Sequence, residues 1–444
     1  VFQKILIANR GEIALRVIRA CRDMGVRAVA VYSDADQGSL HVRLADEAVF
    51  IGPALSRKSY LNMDALLEAA RKSRADAVHP GYGFLAENPE FARACEDAGI
   101  AFIGPSPECM ALAGNKAKAR KHLMKKGIPV IPGSEGPVAT VAHALDAAED
   151  VGYPVILKAS GGGGGKGMRI ARDAKSLSEG FPVAAGEAKA AFDLPELYLE
   201  KYIEKPRHIE VQVLSDHFGN AVHLGERECS IQKRHQKLIE ESPSPFVDAA
   251  LREKMGDTAL AVVRFLGYTN AGTVEFLVAP DGAFYFMEMN ARIQVEHPVT
   301  EMTTGIDLVC RQIRIASGEA LLLSQEKIRP HGWALECRIN AEDPDDGFMP
   351  SPGTVEELVL PGGPGIRVDT HLYPGYTVPP FYDSLVCKVI AWGKDRPTAI
   401  SRMRRALFEV HTKGIQNTVS FHETILTHPD FIQGRLHTRF LEML

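Results

Sequence analysis

The opening stretch of the chain alternates short apolar runs with amphipathic segments, and that alternation commits it to a layered α/β unit. Lys4–Ala8 is an apolar run suited to a buried strand. Glu12–Met24 follows, with Ile13, Val17, Ile18, Cys21 and Met24 on one helical stripe and Gly25 as its stop. Arg27–Tyr32, Ala75–His79 and Ala101–Ile103 read as further strands, with helices over Asn62–Ser73 and Pro89–Ala98. Strands separated by helices pair in parallel, because the helix carries the chain back across the sheet.

A basic helix, about Lys116–Lys126, leads through Gly127 and Pro129 out of this unit. At 444 residues the chain is too long for one ordinary core. The expected division is an N-terminal α/β domain over 1–114, a linker helix over 115–129, a small α/β lid over 130–203 and a mixed C-terminal region over 204–444. With 51 basic and 56 acidic side chains the formal charge is −5, so no overall positive field draws the chain to nucleic acid or anionic lipid. The seven cysteines are scattered without metal-ligand spacing, which suits reduced thiols in a cytoplasm better than a disulfide framework. Ile5–Ala8 is too short for a signal peptide, and no apolar stretch approaches the ~20 residues that cross a bilayer. A soluble cytoplasmic protein is expected, with neither a nucleic-acid nor a membrane partner.

The run Gly161–Gly167, interrupted only by Lys166, fits a dinucleotide fingerprint by accident, since it leads to the extended-looking Met168–Ala171 and opens no helix. Nor is it a Walker loop, because Ser160 and Gly167 stand where glycine and a magnesium-binding hydroxyl are needed. Between Val155–Ala159 and Met168–Ala171 it reads as a hairpin whose backbone N–H groups can approach phosphate oxygens, with Lys158 and Lys166 adding charge. A mobile phosphate lid fits this better than a surface linker.

Thr273–Val278 and Phe284–Asn290 flank the turn Ala279–Ala283 as a second hairpin. A turn centred between Asp281 and Gly282 sets Glu275 opposite Glu288 and Leu277 opposite Phe286. Opposed like charges cost up to about 1 kcal/mol even when solvated. A magnesium ion held by carboxylates and phosphate oxygens would relieve that cost, as would a splayed, solvated pair. Beyond the hairpin, Glu288, Asn290, Arg292, Gln294 and Glu296 share one face of an extended chain. Such a row could grip, orient and deprotonate a small oxyanion, although an exposed edge strand alternates in the same way. His208, Glu210 and Gln212 form a similar row, and Gln232–Lys237 is a basic cluster.

The segments Asn9–Ala14, His79–Asn88, Lys158–Met168, Arg234–Lys237, Glu288–Pro298 and Glu336–Pro344 together resemble biotin carboxylase over essentially the whole chain. The resemblance implies an ATP-grasp fold: an N-terminal Rossmann-like α/β domain, a mobile lid and a mixed C-terminal domain. It implies that Lys116, Lys158 and His208 contact ATP phosphates beneath the loop containing Gly163, Gly164, Gly165 and Met168. Glu200 would hold the adenine amino group, Lys201 and Ile203 would offer hinge backbone, and Gln232 and His235 would lie near the ribose. Glu275, Glu288 and Asn290 would hold magnesium (two ions, with manganese as a substitute). Lys237, Arg292, Gln294 and the Val295 backbone would bind bicarbonate, Glu296 would be its base, and Arg338 would stabilise the biotin ureido oxygen.

The implied activity is that of a ligase that carboxylates a biotin nitrogen through carboxyphosphate, as the first half-reaction of acetyl-CoA carboxylase or else of a pyruvate or propionyl-CoA enzyme. The only Met-Lys pair, Met124-Lys125, continues into Lys126 and does not resemble a biotin attachment turn. A biotin carboxyl carrier protein on another chain, or a carrier segment outside this sequence, is therefore expected, and the resemblance implies carboxyltransferase subunits and a homodimer. Another ATP-grasp ligase, a nicotinamide oxidoreductase and a non-catalytic scaffold are the competing readings. The first has no use for the Arg292–Glu296 row with Arg338, the second lacks its fingerprint, and the third leaves a full set of polar positions unexplained.

Overall fold

The computed structural model describes residues 2–114, 122–159, 168–192, 197–234 and 236–444. The opening unit is a parallel sheet of five strands, β1 (Lys4–Ile7), β2 (Arg27–Ser33), β3 (Glu47–Gly52), β4 (Ala77–His79) and β5 (Ala101–Phe102), in the order β3-β2-β1-β4-β5. The helix Gly11–Asp23 buries Ile13, Val17, Ile18 and Cys21 as its stripe requires. Met24 is the C-cap, and Gly25 follows at φ +70°, where a side chain would be strained. Asn62 caps the helix Met63–Ser73 by accepting the Ala65 N–H at 3.2 Å. Sequence reading missed β3, an edge strand of mixed charge and apolarity whose Phe50 is exposed and whose Ile51 is buried. A strand half open to solvent has no continuous apolar run to announce it.

A smaller antiparallel sheet joins β6 (Val155–Ala159), β7 (Arg169–Ala171) and β8 (Leu197–Lys201) in the order β7-β6-β8. Gly161–Gly167 and most of the expected helix 116–126 lie outside the described residues.

The third sheet has eight strands: β9 (Arg207–Ser215), β10 (Ala221–Lys233), β11 (Gln236–Ser242), β12 (Asn270–Val278), β13 (Phe284–Asn290), β14 (Trp333–Asn340), β15 (Ile366–Thr370) and β16 (Leu385–Gly393). Their order is β13-β12-β9-β10-β11-β14-β16-β15. β9 is buried along its whole length. Its Ile209, Val211 and Val213 join the core that includes Met255, Ala259 and Val263 of the helix Ala249–Leu266. Its alternate residues His208, Glu210 and Gln212 face the other way, into a buried polar layer. The helix His297–Thr304 crosses that layer over β10, β11, β14 and β16, and the helix Gly11–Asp23 packs against β15 and β16.

Lys388 of β16 fastens these layers together. Fully buried, its Nζ donates to the Val295 carbonyl at 2.8 Å and lies 3.1 Å from Glu12 Oε1. Glu12 also accepts the Tyr82 hydroxyl. Burial works against the ammonium, but the acids around it, Glu12 foremost, more than restore it, and the Lys388 pKa is raised. One ammonium thus links the first helix, the loop before His297 and the central sheet. Lys388→Met would leave Glu12 buried without its cation and is expected to cost about 3–5 kcal/mol in chemical denaturation. A loss below about 1 kcal/mol would contradict this role.

Candidate active site

Glu288 on β13, Glu275 on β12, Glu210 on β9 and Arg227 on β10 occupy directly opposed positions in one line across the sheet. Three carboxylates in succession would repel one another without cations between them. Lys237 of β11 supplies one: its Nζ donates to Glu210 at 2.6 Å, Glu275 at 3.0 Å and Glu296 at 2.7 Å. Arg227, with no exposed surface, supplies the other. Its Nε donates to Glu210, and its terminal nitrogens donate to Gln212, Thr300, Thr273 and Gln294, at 2.6–3.1 Å. Every N–H of that guanidinium is used.

These contacts decide the charges. Burial alone would neutralise Glu275, yet Lys237 and His208 hold its carboxyl well below the usual range. Burial would do the same to Glu296, which Lys237, Arg338 and Arg227 hold low. Lys237 is raised well above its ordinary value, since Glu210, Glu275 and Glu296 outweigh its desolvation. His208 lies 3.0 Å from Glu275 and is raised by it, against the effect of burial.

The hairpin pairs Glu275 with Glu288 as expected, but two offsets cancel to produce that register. Ala279 and Ala283 are hydrogen-bonded across the turn, which centres on Asp281, with Gly282 at φ +88°. That sets Phe276, and not Leu277, opposite Phe286. A bulge at Met287 then restores the register, so that Glu275 meets Glu288. The pair is also not left to a divalent ion alone, because Lys237 and His208 already balance Glu275.

The expected extended row stops early. β13 ends at Asn290, where the Ala291 N–H turns to Glu87 Oε1 at 2.9 Å, and Glu296 is the N-cap of a helix with Pro298 in its first turn. Folding brings the row together more tightly than extension would. Asn290 and Gln294 both donate to Glu275 Oε1, at 2.9 and 3.0 Å. Glu296, 1% exposed, accepts Lys237 and, at 3.0 Å, Arg338. Arg292 points back to Glu87 at 2.8 Å and Asn290 at 3.3 Å. A cavity of about 360 Å³ opens above these groups, bordered by Arg10, Tyr82, Lys237, Arg292, Val295 and Arg338.

Lys158, Glu200 and Lys201 of the expected nucleotide contacts lie on the smaller sheet, while His208 and Gln232 lie on the eight-stranded one. Lys158 on β6 donates to Glu200 on β8 at 2.6 Å, so two proposed ATP ligands satisfy each other here. The Lys201 backbone N–H donates to the Pro132 carbonyl, and its ammonium to the carbonyls of Gly152 and Tyr153. Ile203 follows β8, Met168 precedes β7, and Gln232 faces Lys237 across β10–β11. Lys116, Gly163, Gly164, Gly165 and His235 lie outside the described residues. Sequence reasoning passed over Arg227, Glu87 and Lys388. Arg227 stands between Glu226 and Glu228 in the sequence, so no apolar flank marks it as buried, and once buried it needs acceptors on every side.

Residues 1–110 match the family description "Biotin carboxylase, N-terminal domain", 115–324 match "Carbamoyl-phosphate synthase L chain, ATP binding domain", and 336–443 match "Biotin carboxylase C-terminal domain". A biotin carboxylase of Nostoc sp. is 56% identical over 99% of both chains. Among solved structures, a Campylobacter jejuni biotin carboxylase in complex with β,γ-ATP superposes with TM-score 0.93, at 48% identity over 100% of this chain and 99% of that one. The biotin carboxylase domain of a thermophilic 2-oxoglutarate carboxylase bound to bicarbonate gives 0.96, at 48% identity over 100% and 98%. The fold is the ATP-grasp fold of those enzymes, with a parallel-sheet domain at its N-terminus. The chain belongs to the biotin carboxylase family.

Because Glu275 and Glu296 are held below their ordinary value of 4.5, the unfolded chain binds protons more readily than the folded one in acid. Their stabilisation is complete above about 4.5 and is lost as pH falls through the folded values. Lys237→Met removes the foremost cation from both carboxyls, so its acid-unfolding midpoint is expected at higher pH than that of the unaltered protein. Coincident midpoints would show that Lys237 does not hold them.

Proposed function

We propose that this chain is an ATP- and magnesium-dependent biotin carboxylase, a ligase that forms a carbon–nitrogen bond. The observation that carries the reading is a buried Glu296 bonded to Lys237 and Arg338, two cations that border the cavity and hold its carboxyl low. Lys237, Arg292, Gln294 and the Val295 backbone bind bicarbonate, and Glu296 accepts its proton. The cations that keep Glu296 ionised also make it a weak base. A bicarbonate anion draws on those same cations, so its arrival raises the proton affinity of Glu296.

The bicarbonate oxygen then attacks the γ-phosphorus, ADP leaves, and carboxyphosphate forms. Its carbon–oxygen bond breaks to give carbon dioxide and phosphate, and phosphate takes the proton from the ureido nitrogen of biotin. That nitrogen bonds to carbon dioxide while Arg338 neutralises the ureido oxygen. Glu275 and Glu288 present hard carboxylate oxygens from opposed positions, with the Asn290 amide beside them, a donor set suited to a magnesium ion. When bound, magnesium offsets charge on the triphosphate, and manganese has the same ligand preferences. Lys158, His208, Glu200, Lys201, Ile203, Gln232 and Met168, with Lys116, Gly163, Gly164, Gly165 and His235, hold ATP. The Lys158–Glu200 pair opens to admit it.

The domain division at 114, 129 and 203 is part of this reading. Biotin reaches the site on a separate carrier protein, the carboxyl group passes to a carboxyltransferase subunit, and acetyl-CoA is the first acceptor to test. A cytoplasmic homodimer completes the assignment. No helix among the described residues is long and apolar enough to cross a membrane. Glu296→Ala is expected to lower bicarbonate-dependent ATP cleavage, assayed with free biotin, by about 10²-fold or more while nucleotide affinity stays near that of the unaltered protein. Undiminished turnover would remove Glu296 as the base.

A further inference from the structure

Behind Arg338 lies a second pair of acids that the reaction scheme does not use. Glu240 on β11 and Glu336 on β14 stand directly opposite one another, each with no exposed surface. Their environments differ. Glu240 Oε1 accepts Arg338 Nε at 2.6 Å and lies 2.5 Å from a terminal nitrogen of the same guanidinium. Among the described residues its Oε2 has no hydrogen-bond partner, and neither oxygen of Glu336 has one. A buried carboxylate without a donor is among the costliest groups a protein can hold, whereas a carboxylic acid beside a carboxylate supplies the missing donor itself.

Around the pair the cations are already committed. Lys388 serves Glu12 and the Val295 carbonyl, Lys237 serves Glu210, Glu275 and Glu296, and Arg338 is shared between Glu240 and Glu296. The remaining titratable neighbours are Cys337 on β14, Cys229 on β10 and Tyr82, each of which burial keeps in its neutral form. Lys388 attracts Glu336 through space but forms no hydrogen bond to it, and burial outweighs that attraction, so among the described residues no cation is bonded to Glu336.

We propose that Glu240 and Glu336 share one proton at neutral pH, resting on Glu336, and together act as a positioning pair that aims Arg338 into the cavity. Burial pushes the Glu240 carboxyl up to about 7 against the pull of Arg338, and pushes Glu336 well above the carboxylate range, which agrees with the geometry. With one proton on the pair, Glu240 offers Arg338 a single negative charge and leaves the guanidinium free to face Glu296 and the substrate. Loss of that proton as pH rises places two charges behind Arg338 and draws it away from the cavity.

This rests on the placement of Arg338 at the biotin oxygen, so the test includes a readout that needs no turnover. Infrared spectra of the unaltered protein at neutral pH are expected to show a protonated-carboxyl stretch that Glu336→Gln abolishes. In the same variant the alkaline fall of kcat/KM for biotin is expected to move to higher pH by about one unit or more, because the amide cannot ionise. Should Glu336→Gln fail to fold, carbon-13 labelling of the glutamate carboxyls allows the band to be followed by pH titration of the unaltered protein. Absence of any protonated glutamate band at neutral pH would overturn the proposal and mark the pair as two carboxylates bridged by buried water. Superimposable pH profiles with the band removed would overturn the positioning of Arg338. A protonated-carboxyl band in an unaltered protein that shows no biotin-dependent turnover would instead count against the assigned reaction.

Discussion

One ammonium group holds this site together. Lys237 reaches three carboxylates from three separate segments, Glu210 on β9, Glu275 on β12 and Glu296 at the start of a helix, and none of the three is more than 5% exposed. Without it, burial would force protons onto the oxygens proposed to take up a metal ion or a substrate proton. With it, the site keeps its negative charge in a dry environment, where electrostatic interactions are strong. Arg227 does the same work from beneath, linking Glu210 to Gln294 and so tying the sheet to the loop that carries the expected bicarbonate ligands.

The fold makes this arrangement possible by continuing one antiparallel sheet from β13 to β15, so that groups from residues 207 to 393 share a single face. The parallel-sheet domain then closes the open side. Glu12 accepts the Tyr82 hydroxyl and meets Lys388, Glu87 takes Arg292, and Asn9 donates to the carbonyls of Pro80 and Tyr82 at 2.7 Å to hold that loop in place. The site therefore depends on docking between regions far apart in sequence.

That dependence explains what could be read in advance. The parallel unit was legible because each strand and helix carries its own periodic pattern, and its elements fall within a few residues of expectation. The edge strand Glu47–Gly52 was not, because its partner and not its composition makes it a strand. Glu275 and Glu288 were paired correctly, but only because a displaced turn and the bulge at Met287 offset one another. A bulge of one residue leaves no distinct mark in such a sequence. Most chemical groups were recognised from motifs resembling a known family, whereas Arg227, Lys388, Glu240 and Glu336 act through contacts across the sheet that no local pattern encodes.

The proposed reaction requires that bicarbonate be activated by direct transfer of the γ-phosphoryl group inside this cavity. The most direct measurement follows oxygen. With bicarbonate labelled by oxygen-18, ATP, magnesium and biotin, the phosphate released should carry one labelled oxygen for each carboxybiotin formed, because the oxygen that attacks phosphorus stays with it when carbon dioxide departs. Phosphate released in step with carboxybiotin but free of label would contradict the account.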